Sequence, residues 1–161
     1  MKPLPTAVAG AAAALLLACT AEPVPNASQP LPARAASGLE LAPLTIESGG
    51  RSHRFTVEVA RTPDEQARGL MYRERLGADE GMIFPFDFPR PASFWMRNTL
   101  IPLDMIFIRE DGTIARIAAN TVPLSEETVS SGELVIAVLE LRGGRAAELG
   151  ISEGDRVSWP R

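Results

Sequence analysis

The stretch D-M-I-F-I-R-E-D-G-T-I-A-R-I-A, residues 104–118, decides the reading of the fold. Met105 to Ile108 are four consecutive apolar residues, too short for a helix and rich in β-branched and aromatic side chains, which predicts a central strand buried on both faces. Glu110-Asp111-Gly112 is a hairpin turn, and Thr113 to Ala118 returns antiparallel. The same pattern extends in both directions. His53 to Ala60 alternates Phe55, Val57 and Val59 with Arg54, Thr56 and Glu58, the period-two signature of a strand with one buried face. Leu39 to Ile46 pairs with it across Glu47-Ser48-Gly49-Gly50. Thr62-Pro63-Asp64-Glu65 combines an N-cap, a proline at the first helical position and a glutamate at capping-box spacing, so a short helix runs to about Gly69 or Met71. Met82-Ile83-Phe84 and Phe94-Trp95-Met96 are short apolar runs divided by Pro85, Pro89 and Pro91, which predicts a loop between them. Leu134 to Leu141 is a further strand, Arg145 to Leu149 a helical turn, and Arg156 to Trp159 a last strand. Seven or eight strands with two short helices make an α+β domain, mostly antiparallel β, with a compact barrel-like sheet.

Outside this domain the N-terminal residues carry a different signal. Met1 and Lys2 precede an uncharged stretch whose apolar heart, Ala7 to Ala18, matches a signal-peptide h-region and is short for a bilayer span. Leu16-Leu17-Ala18-Cys19 resembles the bacterial lipobox, in which the cysteine is lipidated and becomes the mature N-terminus. Thr20 follows in place of the aspartate that retains many lipoproteins in the inner membrane, so the expectation is an outer-membrane lipoprotein facing the periplasm. Residues 1–18 are thus read as a lipoprotein signal peptide, 19–37 as lipidated Cys19 and a Pro/Ala-rich tether, and 38–161 as one β-rich domain. The tether contains Pro23, Pro25, Pro30 and Pro32 and cannot form a core.

Composition narrows the chemistry. The 161 residues carry 45% hydrophobic and 22% charged side chains, enough for one core without a structural metal. Cys19 is the single cysteine and His53 the single histidine, which excludes intrachain disulfides, multi-thiolate zinc and multi-histidine metal sites, and no cofactor is expected. A formal charge of -4 with scattered arginines argues against nucleic acid as a partner. The partners expected are a membrane, through the lipid, and an envelope ligand or protein.

The motifs E-Q-A-R-G-L-M-Y-R (residues 65–73), G-M-I-F (81–84), F-W-M-R-N-T-L-I-P-L-D (94–104), L-E-L-R-G-G (139–144) and G-I-S-E-G-D-R-V (150–157) together resemble the prokaryotic domain of unknown function family 192. The resemblance implies a compact β-rich fold and an exported setting, and it supplies no catalytic residue. The middle motif holds the candidate ligand-binding residues: Trp95, Arg97, Asn98, Thr99 and Asp104 place amide, hydroxyl, guanidinium and carboxylate groups beside an indole, as a carbohydrate or peptide-like ligand requires. The same residues can equally form a turn, with Asp104 capping backbone amides. A binding module is the first reading. A hydrolase of envelope glycan or peptide, pairing Asp104 with Glu58 or Asp87, is the alternative. Copper held by Met71, Met82, Met96 and Met105 is the third, against the ordinary use of methionine in cores. His53 reads as a polar residue at a strand edge, and Gly143-Gly144 as a plain turn.

Overall fold

The computed structural model of the protein describes residue 1 and residues 35–161. The chain divides into two units, Met1–Pro30 and Leu31–Arg161, and the fold described here belongs to the second. The signal peptide, Cys19 and most of the tether read from the sequence lie outside the described residues.

Seven strands and two short helices follow in order: β1 (Glu40–Ser48), β2 (Arg51–Val59), α1 (Pro63–Arg68), β3 (Glu80–Phe94), β4 (Leu103–Ile108), β5 (Ile114–Ala118), β6 (Val129–Arg142), α2 (Arg145–Leu149) and β7 (Arg156–Ser158). They form one sheet in the order β5-β4-β6-β3-β2-β1-β7. All neighbours are antiparallel except β2 and β3, which α1 joins as a parallel pair. An isolated antiparallel bridge between Thr113 and Arg156 brings the two ends of this order together. The mostly antiparallel sheet is therefore curled into a half-barrel.

Two clusters of apolar side chains cover the two faces of the central strands. Strand pleating sends Ile83, Ile106 and Leu139 to one face, where they join Leu44, Val57 and Val157 in the first cluster. Met82, Met105 and Val138 go to the other face, where Leu70, Leu76, Met96 and Leu103 cover them. This explains why all six residues of β4 are buried. Helix α1 has the capping box expected from its sequence: the Glu65 amide donates to Thr62 Oγ1 at 3.2 Å and the Thr62 amide to the Glu65 carboxylate at 2.8 Å. The Thr62 amide and the Arg61 amide, which also donates to this carboxylate at 2.8 Å, hold the Glu65 carboxyl below its ordinary range.

One expectation is corrected. The proline-divided stretch is not a loop: β3 runs for 15 residues through Pro85, Pro89 and Pro91. The reason is position. Strand β2 pairs with β3 only as far as Ile83, so beyond that point β3 has a free edge, and its pairing with β6 shifts register between Pro85 and Arg90 and again between Pro91 and Ser93. An edge with bulges tolerates residues that lack an N–H.

Candidate functional site

Strand β6 places Glu140 between two methionines, Met82 of β3 and Met105 of β4, in direct cross-strand register. Its side chain therefore emerges on the face of the second cluster, among thioethers and aromatic rings. Glu140 is 4% exposed, and its carboxyl group makes no hydrogen bond or ion pair with any described residue. Burial alone pushes its pKa up to about 8, so it is a neutral acid at pH 7.

The carboxyl group opens into a cavity of about 320 Å³. Gln66, Arg68, Leu70 and Met71, from α1 and the turn that follows it, form one wall. Arg90 and Phe94 of β3 and Trp95, Arg97 and Thr99 of the next loop form the other. Phe84 and Phe94 meet edge to face with centroids 5.1 Å apart, which fixes the aromatic side. Trp95 is 44% exposed, and the Arg97 guanidinium lies 5.4 Å from the centre of its ring.

The loop carrying Trp95 is tied down on both sides. Asn98 adopts a positive φ of 56° and accepts the Tyr72 amide on its carbonyl at 2.8 Å, while its side-chain amide reaches Met71 Sδ at 3.7 Å. Tyr72 also lies in the left-handed region, with φ 63°, an uncommon conformation for a bulky residue. The amides of Met96 and Leu124 bond the carbonyls of Ser125 and Thr99. Thr121 Oγ1 donates to the Leu103 carbonyl at 2.9 Å and lies 3.1 Å from Met96 Sδ.

The structure thus brings Trp95, Arg97 and Thr99 to the cavity, keeps Asn98 behind it as a loop anchor, and places Asp104 apart. Asp104 is opposite Leu141, one residue out of step with Glu140, so the pleat turns it to the other face. Its fully buried carboxylate accepts the amides of Asn120 and Gly144 at 2.9 Å and of Ala146 at 2.8 Å, pinning the approach to α2. Of the carboxylates considered as its partners, Glu58 is bound by Arg73 at 2.6 Å and by Ser37 Oγ at 2.5 Å. Met82, Met96 and Met105 belong to the second cluster, and among the described residues no group of three His, Cys, Asp or Glu side chains could hold a metal. His53 is half-buried with Nε2 unpartnered.

Sequence reasoning missed Glu140, Arg68 and Arg90. The available signal was an acid inside the apolar run L-V-I-A-V-L-E-L, residues 134–141. A larger hollow of about 1140 Å³ lies beside Glu58 and Arg73, but its buried acid is already paired. Among the described residues the Glu140 cavity is the one lined by a buried acid that has no protein partner, which singles it out.

Two solved structures resemble the chain closely. A protein of unknown function from Novosphingobium aromaticivorans DSM 12444 is 49% identical, with a TM-score of 0.78, over 80% of this chain and 93% of that one. A candidate transcription regulator from Sinorhizobium meliloti 1021 is 44% identical, with a TM-score of 0.74, over 75% of this chain and 95% of that one. Comparison with curated proteins gives no match. Residues 44–159 match the model of domain of unknown function family 192, described as "Uncharacterized ACR". The match takes in every strand of the half-barrel, in whole or in part, and the chain belongs to this family.

Proposed function

We propose that the protein is a ligand-binding module of the bacterial cell envelope, anchored through lipid on Cys19 and facing the periplasm. Its ligand, a small molecule of glycan or peptide type, occupies the cavity above Glu140 and packs against Trp95. The observation that carries this reading is the unpaired, buried carboxyl group opening into the cavity. Leaving such a group without a partner costs about 1 to 3 kcal/mol, a cost that a bound acceptor removes. Trp95 offers the half-exposed aromatic surface on which a sugar ring or peptide plane stacks.

Binding is preferred over hydrolysis because of what lines the cavity. A two-carboxylate hydrolase needs a second acid within about 5 to 10 Å. Glu140 is the sole carboxylate among the lining residues, which include neither His nor Cys.

The test is a titration of the ¹⁵N-labelled protein with short acetylated sugars and peptides, followed by amide shifts. A binder should move the amides of residues 66–71 and 93–99. Glu140→Gln and Trp95→Ala should weaken it by about 1 to 3 kcal/mol, the range for losing a buried partner, with the unfolding midpoint of each variant measured alongside. Shifts confined to other surfaces would remove the cavity from consideration.

A further inference from the structure

Arginine placement gives the cavity a sign. Among the described residues Arg51, Arg54, Arg75 and Arg116 lack an acid partner, whereas some arginines of the domain meet acids closely: Arg73 reaches Glu58 at 2.6 Å and Arg142 reaches Glu148 at 2.7 Å. The three that line the cavity do not. Arg68 makes no side-chain hydrogen bond or ion pair among the described residues. Arg90 lies over the Phe86 ring at 4.0 Å and makes no ion pair among the described residues. Arg97 reaches Glu126 only at 3.8 Å, both side chains being more than half exposed, where such a pair is weak. A chain with 20 acids and 16 bases thus leaves three cations around one opening.

We propose that the cavity takes a small organic anion, whose negative group sits among Arg68, Arg90 and Arg97 at the mouth while a carbonyl or hydroxyl oxygen at its inner end accepts a hydrogen bond from the Glu140 carboxyl group. This rests on the ligand-binding reading above and names the class of ligand. The guanidinium fork matches carboxylate and phosphate oxygens, and arginine stacked on an aromatic ring is held in a restricted orientation for them. Arg68, Arg90 and Arg97 are exposed whereas Glu140 is buried, so the arginines stand at the mouth and the acid at the inner end. Anion and acceptor oxygen must therefore occupy opposite ends of one molecule. A volume of about 320 Å³ suits an acylated amino acid or an acylated sugar bearing one charge. A cationic ligand would have to pass three guanidinium groups, none in a close ion pair, to reach an acid that is itself uncharged.

The groups facing Glu140 from the packed elements are Met82 of β3, Met105 of β4, and the cavity residues Gln66, Arg68, Arg90 and Arg97. Met82, Met105 and Gln66 carry no ionisable group, and Glu140 is the one carboxyl group lining the cavity.

Two matched pairs of probes test the proposal by calorimetry: N-acetylphenylalanine against its carboxamide, and N-acetylglucosamine 1-phosphate against N-acetylglucosamine. The charged member of at least one pair should bind at least tenfold more tightly. Arg68→Gln and Arg97→Gln, both at exposed positions, should erase that preference, added salt should reduce it, and the charged member should weaken as pH rises above 8. Equal binding of charged and neutral members would overturn the anion proposal while the cavity remained a ligand site. No binding of any of the four, with no amide shifts around the cavity, would overturn both.

Discussion

Two buried carboxylates, one residue out of register on adjacent strands, have opposite fates. Asp104 takes three backbone amides and holds the turn before α2 in place. Glu140 takes none, and burial pushes its pKa up to about 8. The consequence for stability has a definite sign. An unfolded glutamate ionises near pH 4.5 and the folded one near pH 8, so between these values the native state binds the extra proton. The stability that Glu140 contributes is fully present below about pH 4.5 and is lost as pH rises through about 8, at up to about 1.4 kcal/mol per pH unit. Glu140→Gln keeps the shape and a donor but cannot ionise. Urea unfolding at pH 5, 7 and 9 should show the wild type losing ground to Glu140→Gln at each step. Parallel behaviour of the two proteins would mean that the carboxyl finds a counter-charge and is not the lone neutral acid described.

At the scale of elements, most of the fold was legible in the sequence. Local patterns suffice for β1, β2, β4 and β5, and the capping box marks α1 to within a residue or two. Strand β3 was not legible, because a proline is tolerated or not according to whether a neighbouring strand needs its N–H, and that is decided by where β2 stops. Glu140 escaped for a related reason. An acid within an apolar run is ordinary if a basic partner faces it, and its neighbours Met82 and Met105 come from distant parts of the chain. The β3–β6 pairing also depends on Gly81, where a Cβ would lie 2.7 Å from the Glu140 carbonyl oxygen and 2.9 Å from Leu141 Cδ2. Backbone must move to admit it. Gly81→Ala should cost about 1 to 3 kcal/mol, the range for overpacking a core, and should disturb the amides of residues 138–142 in an NMR spectrum. A variant of wild-type stability with unmoved β6 amides would show that the sheet has slack there.

For the whole molecule, the open question is how a domain of this kind meets the envelope. No described helix is long and apolar enough to cross a membrane. On the proposed reading, attachment falls to the residues preceding the domain, where Leu16-Leu17-Ala18-Cys19 ends an apolar stretch of signal-peptide length. A single acyl chain gives marginal, reversible binding, whereas diacylglycerol on the sulfur with a further chain on the new N-terminus makes attachment stable, at about 0.8 kcal/mol per buried methylene. From Cys19 to Ser37 the chain can extend to roughly 60 Å at most, room enough to hold the cavity clear of lipid headgroups. The mature chain then has fifteen arginines, no lysine and twenty acids, a balance of -5, so an anionic membrane surface does not draw the domain down. Mass spectrometry of the protein from its native membrane should find an acylated N-terminal Cys19, and Cys19→Ser should leave the chain unprocessed or release it into the soluble fraction with the fold intact. An unmodified mature protein beginning at any other residue would end the lipoprotein proposal, and it would leave the Glu140 cavity and its ligand class to stand on their own tests.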